Sequence, residues 1–530
     1  MATATTITAG APPRPAAPSE TMNPRTVFAF LAMVFGMFMA ILDIQVVSAS
    51  LSEIQAGLSA GPDEIAWVQT SYLVAEVVMI PLSGFLGRLL STRVLFTISA
   101  AGFTLASMLA ATATNMNQMI IYRAFQGFIG GGMIPSVFAA AFTVFPPSKR
   151  PIVSPMIGLV ATLAPTIGPT IGGYLSHAFS WHWLFLINVI PGIGVTIAAW
   201  TLIDFDEGDP SLLKRFDWAG LIGMATFLGS MEYVLEEGPQ YDWLQDQSVF
   251  IFFIAMVVGG LVFFFRAFTA KQPIVDLSAF KDINFTFGSV FSFVMGIGLY
   301  GLTYLFPLYL GRVRGYDSLM IGEAVFVSGA AMFVTAPISG MLSRKVDPRV
   351  MLLVGFLGFA VGTWMMTGIT PDWDYDQIFW PQVFRGVSLM LCMVTINNVA
   401  LGTLPPERLK NASGLFNLTR NLGGAVGLAL INTVLIHRSD MHYERLSEHV
   451  NWSNSEALRQ LKMMGQNLAA HGLDSTTGAI AQMAGKIRLQ AQVLSFLDVF
   501  YLLTVLFASL AVFAVLMRKP PASAGGAGGH

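Results

Sequence analysis

Apolar runs of about twenty residues recur from one end of the chain to the other, each closed by a polar segment. They fall at about 27–51, 65–87, 94–112, 117–141, 152–176, 184–203, 217–236, 249–268, 284–311, 319–343, 350–369, 377–402, 413–436 and 495–517. A bilayer core about 30 Å thick is crossed by roughly 20 apolar residues in a helix. The pattern therefore predicts fourteen membrane spans in an all-α polytopic chain. Gly and Pro occur freely within several runs, as membrane helices tolerate. Most polar segments are short, and the exception is 437–494. Within it Ser453-Asn454-Ser455-Glu456 reads as a capping box ahead of Leu458, Leu461, Met464 and Leu468, with Gly472 as a stop, so an amphipathic helix is expected there. The stretch 477–494 reads as an outward extension of the last span.

Composition agrees with this picture and removes other classes. Of 530 residues, 54% are hydrophobic and 11% charged, and the mean hydropathy is +0.64. Soluble domains carry roughly 25% charged residues, so most of the outside must face lipid. A net charge of −2 offers nothing to nucleic acid. The single Cys392 lies in an apolar run and supports neither a disulfide framework nor a thiolate metal site. The basic residues set the orientation. Arg88 and Arg93, Lys149 and Arg150, Lys214 and Arg215, Arg344 to Arg349, Arg408 and Lys410, and Arg518 and Lys519 fall on one side, while the short loops opposite hold only Arg312 and Arg314. The positive-inside bias puts both termini in the cytoplasm. Residues 1–25 read as a disordered cytoplasmic tail and 518–530 as a second tail.

The chain also resembles itself. Gly84-Phe-Leu-Gly-Arg88 recurs as Gly340-Met-Leu-Ser-Arg344, Pro146-Pro147 as Pro405-Pro406, Gly158-Leu159 as Gly414-Leu415, and Arg123 is answered by Arg385. All four offsets lie near 260 residues. A six-span unit at 26–203 is thus repeated at 284–517, with two linker spans and flanking loops at 204–283 outside the repeat. Two parallel halves of this kind place a substrate site at their interface near the bilayer midplane.

Ionisable groups inside spans are expensive and mark function by default. Asp43 lies roughly 10 Å from the outer end of its span and Arg123 roughly 9 Å from the outer end of its own, so an acid and a base share one depth. Glu76 sits roughly 16 Å into its span, near the midplane. These three are the candidates for proton coupling. Arg385 and Arg420 are further charges within spans, and Arg420 is close enough to the cytoplasmic face to snorkel. Glu232, Glu323 and Asp498 fall near outer ends and read as interfacial. Gln45, Trp67, Tyr72, Gln126, Asn397, Asn398 and Asn417 are candidates for lining a substrate cavity. Gly57-Leu-Ser-Ala-Gly61 and Gly296-Ile-Gly-Leu-Tyr-Gly301 match enzyme strings but lack the strand contexts those strings need. The histidines are scattered, no Walker A string is present, and no cofactor, metal or ATP chemistry is expected.

Four motifs resemble the major facilitator superfamily, in its fourteen-helix drug:proton antiporter family of the EmrB/QacA type. They are Leu42-Asp43 with Val46-Val47 in the first span, Arg123-Ala-Phe-Gln126-Gly127 in the fourth, Gly158, Pro165, Gly168-Pro169 and Gly172-Gly173 in the fifth, and Trp181-His-Trp-Leu-Phe-Leu-Ile-Asn188 opening the sixth. The resemblance implies the major facilitator fold and a gating role for the fifth-span glycines and prolines. It also implies a gate loop around Gly84, Arg88 and Arg93. The implied activity is proton-coupled export of amphipathic compounds from a bacterial inner membrane, not enzyme chemistry. It further implies a periplasmic adaptor and an outer-membrane channel as partners, and the stripe of Leu458, Leu461 and Leu468 on the helix from about Asn454 is a candidate docking surface or, equally, folds back on the extended ends of spans 13 and 14. An uptake symporter of the same fold, or a receptor that does not transport, is the alternative.

Overall fold

The computed structural model describes residues 23–516 apart from 49, 62–63, 147–148, 317, 452 and 471–474. The two tails, up to residue 22 and from 517 on, and the Gly472 stop lie outside the described residues. Within them the regular structure is helical. Thirteen helices are long and apolar enough to cross a membrane, and a bent pair makes a fourteenth. The spans are, in order, Pro24–Ser48, Trp67–Leu90, Thr92–Ala110, Met116–Val144, Arg150–Ala178, Trp183–Leu202, Trp218–Glu237, Gln247–Thr269, Ile283–Arg312, Ser318–Leu342, Pro348–Met365, Tyr375–Gly402, Pro406–Glu448 and Ser475–Leu516. They are called spans 1 to 14 below.

Local chemistry explains where many of them begin. Asn115 accepts from the Gln118 amide to open span 4, Asp246 and Asp282 cap spans 8 and 9, and Asp347 precedes Pro348 at span 11. Asp374 and Gln377 form a reciprocal capping box at span 12. Span 5 is bent by 42° between Ile152–Pro165 and Ile167–Ala178, as expected of an interior proline that removes a backbone bond.

The packing pattern is stated twice. Spans 1–5, 2–4, 3–4, 3–6 and 1–4 are neighbours, and so are 9–13, 10–12, 11–12, 11–14 and 9–12. The seam between the two groups repeats the same logic, since span 5 lies on span 10 as span 13 lies on span 2. Span 12 lies on span 5 as span 4 lies on span 13. Spans 7 and 8 pair with each other, and span 7 leans on spans 2 and 13 at one seam. Span 8 is the most outlying: Ile251, Leu261 and Phe265 are more than half exposed, an apolar face suited to lipid.

Three expectations need correction. Residues 437–448 are not loop, because span 13 continues as one helix to Glu448, whereas the expected outward extension of the last span is present and begins at Ser475. The cap of Ser455–Ala470 is Asn454, whose side chain accepts from the Glu456 and Ala457 amides, and Ser453 instead bonds to Asn451. The leucine stripe of that helix is half-buried against the extended span 14, where Leu468 packs on Gly478. The short outer segment holding Gly57 is likewise helical over Leu51–Leu58.

Candidate functional site

Span 1 carries Asp43 and span 4 carries Arg123 into the same plane, each with a fully buried side chain. Their side chains meet at 2.6 Å. A charge pair this deep survives only if its remaining lone pairs and protons are also satisfied. The neighbours do so on the acid's side: Asn188 donates to Asp43 at 2.7 Å and Gln126 at 3.1 Å. Gln126 also accepts from Arg123 at 2.7 Å and donates to Ser107 at 2.8 Å. Arg123 donates to the Val68 carbonyl at 3.1 Å and lies 4.3 Å from the centre of the Tyr72 ring. One guanidinium nitrogen, Nη2, finds no acceptor. Four spans of the first six and the Tyr72 ring of a fifth thus converge on one acid. Gly127 makes room for this, because a Cβ there would come within 2.2 Å of the Tyr72 carbonyl.

Span 5 reads this site mechanically. A Cβ on Gly168 would strike the Gln45 Cβ at 2.4 Å, and one on Gly172 the Val46 carbonyl at 2.6 Å. The glycines of span 5 therefore seat it on the turn of span 1 that follows Asp43. Further along, Gly158 faces Met390 of span 12, with the methyl 2.9 Å from where its Cβ would be. Pro165 and Pro169 occupy the bent middle of the same helix, and Gly173 adjoins Gly172.

Glu76 on span 2 is buried at 3% exposure, and its Oε1 has no hydrogen-bond partner. It lies within electrostatic range of Arg123, of Asp43 and of Arg420 on span 13. Arg420 is buried rather than reaching for the surface. It donates to Asn417 at 2.5 Å and lies 5.1 Å from the Phe138 ring centre. Glu323 is exposed, whereas Glu232 is buried, so the interfacial reading fits only the first. Asp498 is paired with His442 at 2.9 Å and Arg438 at 3.5 Å.

The seven polar and aromatic cavity candidates occupy different settings. Tyr72 and Gln126 belong to the ion-pair network. Gln45 is under Gly168, and the Trp67 ring lies tilted against Tyr233 of span 7, centroids 5.4 Å apart. Asn398 accepts from Ser154 at 2.8 Å, linking spans 5 and 12. Asn417 accepts from Arg420, and Asn397 is buried with neither amide atom partnered.

At the basic end of the bundle, a Cβ on Gly84 would come within about 3 Å of the backbone of Lys410 and Asn411, so span 2 meets the start of span 13 closely there. Arg88 and Arg93 lie over Phe85 and Trp200 and do not bridge the seam. The bridging falls to residues that sequence reasoning passed over. Lys410 donates to the Gly87 carbonyl at 2.9 Å and pairs with Asp206, while Arg150 reaches the Gly402 carbonyl at 3.3 Å. Asp206 simultaneously accepts from the Thr92 amide at the start of span 3. Asn188 and Ser107 were also missed as site residues. Asn188 closes a motif visible in the sequence, but nothing in the pattern marks Ser107.

Comparison with known proteins follows the geometry. The family model described as Major Facilitator Superfamily matches residues 33–428. The colistin resistance protein EmrB of Acinetobacter baumannii is 44% identical over 493 residues, covering 92% of this chain and 96% of that protein. The multidrug export protein EmrB of Escherichia coli is 31% identical over 502 residues, covering 94% and 96%. The fatty acid resistance protein FarB of Neisseria gonorrhoeae is 30% identical over 500 residues, covering 94% and 97%. Among solved structures, the human organic anion transporter MFSD10 superposes with a TM-score of 0.56 at 12% identity, covering 92% of this chain and all of that one. That likeness concerns the fold.

Proposed function

The chain belongs to the major facilitator superfamily, and from that premise we propose that it exports amphipathic toxic compounds in exchange for protons by alternating access. The observation that carries this is the fully buried Asp43–Arg123 pair with span 5 seated on the next turn of span 1. Protonating Asp43 would remove one partner of a buried ion pair. That leaves Arg123 uncompensated and costs about 3–5 kcal/mol unless the surroundings rearrange. Span 5 is the element placed to rearrange, because it touches span 1 beside the acid and spans 10 and 12 across the seam. A proton taken up on one side would thus be converted into a shift of the two six-span groups against each other. Glu76, within electrostatic range of Arg123 and Arg420, is the second proton carrier in this reading.

The relatives are named for resistance to, or export of, chemically unlike compounds, which favours an exporter over an uptake symporter or a silent receptor. We place the basic end in the cytoplasm of a bacterial inner membrane, following the distribution of Lys and Arg. An adaptor leading to an outer-membrane channel belongs to the same reading. Its contact is assigned to the outward helices 437–448, 455–470 and 475–494, on faces other than the half-buried leucine stripe.

The test uses purified protein in liposomes under an imposed pH gradient, with a panel of dyes and antibiotics. Wild type should concentrate substrates and exchange protons for them. Asp43→Asn and Glu76→Gln should each lose gradient-driven accumulation while remaining folded. Wild-type rates in both variants and in their double would overturn the assignment.

A further inference from the structure

The repeat places a relative of the Arg123 site in the last six spans, with the acid replaced. Arg385 on span 12 corresponds to Arg123, Thr363 on span 11 to Ser107, and Thr303 on span 9 to Asp43, at offsets near 260 residues. The copy keeps the contact between the arginine and the residue in the acid's place, while its glutamine stands three residues before the arginine and not three after. Arg385 donates to Thr303 at 3.0 Å and to Gln382 at 3.3 Å. Thr303 donates its own hydroxyl hydrogen bond to the Leu299 carbonyl at 2.6 Å, so it offers the guanidinium a neutral lone pair and nothing more. Among the described residues no carboxylate is paired with Arg385.

Arg385 is 5% exposed and Gln382 1%, yet the arginine Nε and the glutamine Nε2 both lack an acceptor. Both residues line one cavity together with Thr363, and its other walls are mainly apolar, from Leu302, Phe306, Met366 and Phe500. It offers about 20 Å³ to the centre of a water-sized sphere, room for a single small species. Two residues with unsatisfied donors, one of them carrying an uncompensated positive charge, border this small and mainly apolar cavity. A buried cation without a counter-charge is the costliest arrangement a protein interior can hold. Water would satisfy the donors and leave the charge. We propose that this chamber is a binding site for one monovalent anion of halide size, which takes the place that the carboxylate of Asp43 fills in the first six spans.

Full-length protein in detergent or nanodiscs is unfolded by heat in chloride, bromide or gluconate salts of one cation at equal ionic strength. A ligand that binds only the folded state raises the midpoint with its concentration. Chloride and bromide should raise the midpoint by several degrees over gluconate and saturate. Thr303→Asp, which restores the acid, and Arg385→Gln, which removes the charge, should each abolish the halide increment. Gln382→Leu keeps the charge and removes one donor. It should raise the half-saturating halide concentration by about tenfold, the effect of one hydrogen bond to a charged group. Equal midpoints for wild type in halide and gluconate would overturn the proposal. So would a halide increment that survives in Arg385→Gln, or, should that variant fail to fold, in Thr303→Asp with unchanged half-saturation.

Discussion

The site at Asp43 and the site at Arg385 are built on one plan and have opposite electrostatics. In the first, an acid on span 1 neutralises an arginine on span 4, and amides from Asn188 and Gln126 fill the acid's other lone pairs. In the second, the arginine on span 12 meets a threonine hydroxyl on span 9. The scaffold around both is equally close. A Cβ on Gly172 would meet the Val46 carbonyl at 2.6 Å, and one on Gly423 the Phe293 carbonyl at 1.9 Å. Packing is thus shared between the repeats, while a fully buried acid–arginine pair is found, among the described residues, in the first of them. On the function proposed above, the proton event would belong to the first six spans, with the last six as the body against which they move.

The sharpest break of the comparison is removal of each arginine. Arg123→Gln leaves Asp43 as a buried, unpaired carboxylate, for which a loss of about 3–5 kcal/mol is expected. Arg385→Gln leaves only neutral partners behind; it should cost at most about 0.5–1.5 kcal/mol, the scale of an ordinary hydrogen bond, and less in halide-free medium, where relief of the unpaired buried charge offsets the loss. Thermal unfolding of both variants measures the contrast, and equal losses would dissolve it. Asp43→Asn combined with Arg123→Gln should cost less than the two single losses added together, because the members of a pair do not add. Glycine substitutions go the other way and should treat the repeats alike. Gly172→Ala and Gly423→Ala each drive a methyl group into a backbone carbonyl and should cost about 1–3 kcal/mol. Only the first should also disturb proton coupling, since only it adjoins an acid.

Much of this was legible from the chain itself. Spans announce themselves by length and apolarity, and depth alone put Asp43 and Arg123 on one level, where they do meet. The repeat marked Arg385 as the answer to Arg123 but not Thr303 as the answer to Asp43, because threonine carries no alarm in an apolar run. The outward helices were underestimated for a related reason. Hydropathy ends spans 13 and 14 where lipid ends, whereas helical hydrogen bonding continues through polar residues to Glu448 and from Ser475. Ties across the seam were invisible, since Lys410 and Asp206 are unremarkable loop charges until the fold brings them together.

Those ties supply the smallest expected effect, and here the asymmetry runs in reverse. Lys410 opens span 13 as Arg150 opens span 5, yet it is Lys410 that has an acid, Asp206, and Arg150 that has only the Gly402 and Phe142 carbonyls. The Lys410–Asp206 side chains are 19% and 22% exposed, so the pair is worth roughly 0.2–1 kcal/mol. Lys410→Met should therefore favour opening at the basic end by up to about fivefold, and Arg150→Met by less. Ser136, 7% exposed, lines the small cavity beneath Lys410, and a cysteine there reports opening by its rate of labelling with a membrane-impermeant maleimide. The native Cys392 is fully buried and contributes little background. Labelling of Ser136→Cys should quicken with Lys410→Met, and also with Asp206→Asn, which removes the charge while keeping an oxygen for the Thr92 amide. Equal acceleration by Arg150→Met would mean that position rather than charge holds the end closed. No acceleration by any of the three would mean that apolar contact along spans 2 and 13 holds it without them.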